Sequence, residues 1–129
     1  MGERGRRDVK PNFVGIGAAC AALGVGLGAF GAHALRSRVG PVELSLWETA
    51  TRYFFIGAFG MVLFGLFRRT SPRGALSGWL LLGGSTLFAG SLYALSLGAP
   101  RILGAVTPFG GAGLIAGFIC FAISALRQP

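Results

Sequence analysis

Five side chains could contribute chemistry at a common location: His33, Trp47, Glu48, Arg52 and Tyr93. His33 is the single histidine, set inside GAFGAHAL at 28–35. Glu48 and Arg52 stand four apart in PVELSLWETATRY, an order that favours an ion pair on a helix. Such a pair is worth a few tenths of a kcal/mol in water and more where water is scarce. With Arg101 and Thr107 nearby in kind, the set offers cations, hydrogen-bond donors and one carboxylate, which suits contact with a ligand or partner. It does not amount to a catalytic site. Aspartate occurs only at Asp8, so there is no Ser/His/Asp set, and HExxH and a strand-borne GxGxxG are both absent. One histidine cannot supply bis-histidine haem ligation within a single chain. Cys20 and Cys120 lie in apolar runs with no CxxC, so neither a disulfide framework nor a metal site is indicated. No catalytic, cofactor-binding or metal-ligating residue is therefore assigned, no cofactor is expected, and the chain reads as non-enzymatic.

The surroundings of these residues are apolar. Hydrophobic residues make up 53% of the chain and charged ones 12%, and no carboxylate side chain occurs after Glu48. An ionised side chain at a bilayer centre costs about 2.5–3.5 kcal/mol on insertion scales, so such a composition belongs in lipid. The fold class expected is all-α, a polytopic four-helix transmembrane bundle packed through Gly, Ala and Ser. Spans fall at about 13–35, 53–67, 75–98 and 108–126, together forming a single membrane domain over 13–127. A helical segment at 41–52 precedes the second span and is continuous with it, and the expectation is that it lies in the headgroup region before turning inward, with Trp47 and Tyr53 as interface anchors. Residues 1–12 form a basic arm. Pro41, Pro72 and Pro108 each fit the first helical position, with Thr107 as the N-cap of the fourth span. Ala32-His33-Ala34 after an apolar run resembles a signal-peptide cleavage site, but that run exceeds the 7–15 residues typical of a signal core, so it is read as a retained first span.

Small residues recur along three spans. In the first, Gly17, Ala21, Gly24, Gly28 and Gly31 repeat at fours and threes, as do Gly110, Gly113, Gly117, Cys120 and Ser124 in the fourth. Thr86, Gly90, Ala94 and Gly98 repeat every four in the third. Such stripes allow close helix approach in lipid. The second span carries Phe54, Phe55, Phe59, Phe64 and Phe67, bulk suited to lipid or a partner.

The net charge is +8, and eleven of the twelve bases are arginine. They sit between apolar runs, so anionic headgroups, met by the N-terminal arm and by Arg68, Arg69 and Arg73, are the simpler partner than nucleic acid. Eight bases fall on the side of the two termini and four on the other, which places both termini in the cytoplasm. His33, Glu48, Arg52 and Tyr93 then collect at the outer side. No span holds a mid-membrane carboxylate and no two halves repeat, features on which many transporters rely.

GAFGAHAL (28–35), LWETATRY (46–53), LFAGSLYALSL (87–97) and LGAVTPFGGAGLIAG (103–117) together resemble the family called domain of unknown function 423, or YgdD-like, which also takes in small eukaryotic transmembrane proteins. The resemblance runs in order through all four spans and implies a small four-span helical membrane protein with no established biochemical activity. One stretch departs. Where the family commonly reads like YQxYHALG, this chain reads YFFIGAFG, so Phe54, Ile56 and Gly57 stand in place of a glutamine, a tyrosine and a second histidine.

The expected function is that of an accessory or structural subunit of a membrane complex or homo-oligomer, in the inner (plasma) membrane of a bacterium. The alternative is a lipid- or small-solute-binding or transport protein with an outer-side pocket near His33. For His33 itself the simplest expectation is a polar cap that orients the end of the first helix.

Overall fold

The computed structural model describes residues 11–70 and 74–128. Helix α1 spans Phe13–Phe30 and starts at Asn12, whose side-chain Oδ1 accepts the Gly15 N–H at 3.0 Å. The chain then widens into a single π turn, Gly31–Leu35. The Leu35 carbonyl receives the loop N–H groups of Arg38 at 2.9 Å and Val39 at 3.2 Å. Backbone of the following loop thus closes the helix, and His33 does not cap it.

Helix α2, Pro41–Thr70, runs for 30 residues, about 45 Å at 1.5 Å per residue. The segment 41–52 and the span 53–67 are one continuous helix, so no turn out of a headgroup-level segment precedes the second span. Helix α3, Leu76–Ser96, ends before Gly98, whose φ of +96° is a left-handed value open to glycine at little cost. The Ala99 N–H reaches back to the Ala94 carbonyl at 3.0 Å across that turn. A 3-10 turn, Arg101–Ala105, leads into α4, Thr107–Leu126. Val106 is already helical and occupies the N-cap, so Thr107 is the first residue of α4 rather than its cap. Pro41 does open α2, whereas Pro72 lies outside the described residues.

Each of the four helices, with its adjoining turn, is long and apolar enough to cross a membrane. Among the described residues there is no strand. The helices pack in chain order, α1 on α2, α2 on α3 and α3 on α4. One buried cluster joins Phe13, Met61, Phe64, Leu81 and Leu114, and a second joins Ala50, Phe54, Ala89 and Leu92. The phenylalanine row of α2 is therefore divided. Phe54 and Phe64 are buried inside and Phe55 packs on Gly24, while Phe59 faces out.

Glycine sets how closely the helices approach. A Cβ on Gly17 would lie 2.6 Å from the Ala58 carbonyl oxygen, and one on Gly117 would lie 3.0 Å from Leu81 N. Cβ atoms on Gly84 and Gly110 would run into the backbones of Leu114 and Phe88. Without a hydrophobic force between helices in lipid, contact of this closeness holds them by dispersion. Gly57, buried against the Ser85 side chain, likewise brings α2 onto α3 where the resemblance implies a histidine.

The small-residue stripe of α3 behaves differently. Gly90 and Gly98 have no neighbour within 4 Å of a built Cβ, and Thr86 is exposed. Thr86, Gly90 and Ala94 of the stripe line an open apolar groove of about 500 Å³ with Leu103 and Val106, instead of packing inside the chain. Inward contact is made by the opposite register, Gly78, Leu81, Ser85, Ala89, Leu92 and Ser96.

Candidate functional site

The site assembles around Trp47, which is 4% exposed on α2. The Cδ1–Nε1 edge of its indole reaches α1 because Gly31 offers no side chain: a Cβ there would sit 2.5 Å from Cδ1 and 2.7 Å from Nε1. From this position Nε1–H donates to the Leu27 carbonyl at 2.7 Å. The π turn starts four residues later, and such insertions disturb the regular ladder of carbonyl acceptors. The bond ties α2 to α1 at the point where α1 changes pitch.

On its other side Trp47 meets α3. The rings of Trp47 and Tyr93 are 4.3 Å apart between centroids, and Phe30 lies 5.4 Å from the same indole. The Tyr93 hydroxyl and Thr51 Oγ1 share a hydrogen bond of 2.6 Å, and Thr51 Oγ1 also lies 3.0 Å from the Trp47 carbonyl it can donate to. Further along, Ser91 Oγ and Thr107 Oγ1 are 2.6 Å apart and join α3 to α4. Three helices therefore meet at Trp47, and the fourth is linked on through Ser91 and Thr107.

Height in the membrane follows from α2. Arg52 and Arg68 are sixteen residues apart, about 24 Å along the axis. Long arginine side chains extend this toward the roughly 30 Å of a hydrocarbon core. Trp47 and Thr51 thus sit at or just beyond one boundary of the apolar layer, and it is their burial between helices that keeps water from their bonds.

Of the five candidate residues, the structure brings Trp47 and Tyr93 into contact and leaves the others outside. His33 and Arg52 are exposed, and neither makes a hydrogen bond or ion pair with another described residue. Glu48 and Arg52 form no salt bridge. Glu48 is exposed at the rim of a cleft of about 150 Å³ lined also by Gly28, Gly31, Ala32, Trp47 and Thr51. His33, Arg52 and Tyr93 do not line it. Trp47 is buried between helices rather than anchored at the interface, whereas Tyr53 is 39% exposed with its ring 5.0 Å from Phe88. Among the described residues no group of three or more His, Cys, Asp or Glu could hold a metal ion.

Thr51, Ser91 and Thr107 were not legible as a linked set. Thr51 carries a faint signal, since it stands four after Trp47 on one helical face. The Ser91–Thr107 contact joins residues on either side of a tight turn and has no periodic signature.

A family description, "Protein of unknown function (DUF423)", matches residues 27–111, a stretch that begins at the acceptor of the Trp47 bond and takes in all the linked residues. A UPF0382 membrane protein of Staphylococcus haemolyticus is 40% identical over 116 residues, covering 89% of this chain and 95% of the relative. A second, from Staphylococcus saprophyticus, is 40% identical over 116 residues, with 89% and 97% covered. The UPF0382 membrane protein YwdK of Bacillus subtilis is 41% identical over 118 residues, with 89% and 96% covered. No solved structure matches the chain. With identity at this level over nearly the whole of each relative, the chain belongs to the DUF423 family of membrane proteins, in the company of the UPF0382 membrane proteins.

Proposed function

We propose that this protein is a non-enzymatic accessory or structural subunit, working in a larger membrane complex or as a homo-oligomer. In this proposal it lies in a bacterial plasma membrane with both termini cytoplasmic, the side with the greater share of arginine and lysine. One observation carries it. The polar groups at the outer end, from Trp47, Thr51 and Tyr93 to Ser91 and Thr107, bond to one another or to backbone. Those bonds fix the helices and engage the hydroxyl groups of Thr51, Ser91, Tyr93 and Thr107 in structure. The cleft beside them, about 150 Å³, is below the roughly 300–1,000 Å³ of small-molecule sites.

The alternative, an outer-side pocket for lipid or solute, needs His33, Glu48, Arg52 and Tyr93 to converge. Their dispersal speaks against it. The subunit half of the proposal draws support from the outward stripe of α3, because small residues allow another helix to approach closely in lipid. Extraction in a mild detergent followed by mass measurement tests it. A complex or oligomer is expected, and a monodisperse monomer with no co-purifying protein would overturn it.

A further inference from the structure

At the opposite end of the helices from Trp47, a cleft of about 420 Å³ opens where α1 begins and α2 ends. Its walls are Pro11, Asn12, Phe13, Val14, Gly65, Arg68 and Arg69. The volume falls inside the range of small-molecule sites. Gly65 shapes it, because a Cβ there would lie 2.7 Å from both Val14 N and Val14 Cγ2. The absent side chain lets the start of α1 press onto α2 beside the two arginines.

The chemistry of the cleft is divided by depth. Phe13, Val14 and Gly65 give it an apolar floor, continuous with the buried cluster around Phe13. Arg68 and Arg69 give it two guanidinium groups, each a rigid fork of donors matched to phosphate oxygens. The first turn of α1 adds outward-pointing N–H groups. The two described carboxylates, Glu43 and Glu48, sit near the other end of α2. The boundary of the apolar layer passes through this level of α2.

We infer that this cleft binds the phosphate of an anionic phospholipid headgroup between Arg68 and Arg69, with the lipid's first acyl carbons over Phe13 and Val14. A phosphate diester with an attached chain fits both halves of the lining. A free inorganic phosphate would use only the arginine half. The inference is independent of any subunit role.

Native mass spectrometry of the full chain in mild detergent, titrated with phosphatidylglycerol or phosphatidylcholine, tests it. Phosphatidylglycerol should bind more tightly than phosphatidylcholine. The Arg68→Gln/Arg69→Gln variant should lose roughly thirtyfold in phosphatidylglycerol affinity, the effect of removing two cations from an anionic contact. Arg68→Lys/Arg69→Lys keeps the charge but not the forks, and should recover part of that loss. Arg127→Gln, at the same end of the helices but outside the cleft, should lose less affinity per charge than the double variant. An equal loss per charge at Arg127 would mean diffuse attraction and overturn the site, as would equal binding of the two lipids. Displacement of bound lipid by millimolar inorganic phosphate would assign the cleft to the free anion and overturn the lipid assignment. Far-UV circular dichroism of each variant separates lost binding from lost fold.

Discussion

Replacing Gly31 by alanine probes the junction on which three helices depend. The added Cβ would lie 2.5 Å from Trp47 Cδ1, and ordinary contact begins near 3.4 Å, so the ring must retreat by about 0.9 Å. The indole Nε1 is now 2.7 Å from the Leu27 carbonyl. A retreat of that size takes the pair to about 3.6 Å, where a hydrogen bond no longer exists. Trp47 also cannot slide freely toward α3, since Tyr93 stands 4.3 Å away between ring centroids. Overpacking costs about 1–3 kcal/mol. The lost bond adds about 0.6 kcal/mol on average and up to about 1.7 kcal/mol, as found for interhelical bonds in a membrane protein. Gly31→Ala should therefore destabilise by roughly 2–4 kcal/mol. Reversible unfolding in mixed detergent micelles, followed by circular dichroism, measures it. The control is a cycle with Trp47→Leu, in which the ring is gone and alanine at 31 should cost less than about 1 kcal/mol. A Gly31→Ala cost below about 0.5 kcal/mol, or an equal cost in both backgrounds, would refute the role given to this contact.

Further outcomes are expected elsewhere in the helices. Gly110→Ala should destabilise by about 1–3 kcal/mol, because its Cβ meets the Phe88 backbone rather than a movable side chain; the same unfolding assay reads it. Gly83→Ala and Gly90→Ala, with nothing within 4 Å, should be neutral or stabilising by up to about 1 kcal/mol through helix propensity. Gly90→Phe should leave the monomer folded but shift size-exclusion mass downward if the α3 groove seats another helix. Tyr93→Phe should cost about 0.6–1.7 kcal/mol by removing the Thr51 bond, with little further loss when Thr51→Val is added. His33→Ala, at an exposed position, should change stability by less than about 0.5 kcal/mol.

Much of the architecture was open to the sequence because lipid imposes a simple rule. Runs without charge must be helical and about 20 residues long, so the number of spans and their order could be read, while the second helix begins at Pro41, twelve residues before the span expected at 53–67. Which side of each helix faces inward was harder. In water, polarity marks the outside, and Val42, Leu46, Ala50 and Tyr53 would make one buried face. Here the buried face of that segment is Trp47, Ala50, Thr51 and Phe54, turned so that two polar groups point in. They are tolerated there because Trp47 Nε1 and Thr51 Oγ1 find backbone carbonyls or Tyr93, and burial penalises a polar group chiefly when it is left unbonded. Local pattern cannot supply this, since the partners of Trp47 on α1 and α3 lie 20 and 46 residues away.

Glycine poses the same difficulty in a sharper form. The stripe on α1 and the stripe on α3 have similar spacing, yet Gly17, Gly24 and Gly31 are buried against α2 while Gly83 and Gly90 touch nothing. Both faces are apolar, so spacing alone does not distinguish a contact within the chain from one the chain offers to another. What separates them is whether a neighbouring helix faces the stripe at all. Gly31 is opposed by an indole and Gly24 by a phenyl ring, large groups that a missing side chain accommodates. Around Gly90 the groove is bounded by Leu87, Leu103 and Val106, with no ring to fill it. A stripe met by a neighbouring helix, through a ring as at Gly31 or through close backbone as at Gly17 and Gly110, is complete within the monomer, while a stripe that meets neither is open to an outside helix. On that criterion α1 is satisfied internally and α3 is not, which is why Gly31→Ala should lower stability and Gly90→Phe should alter assembly instead.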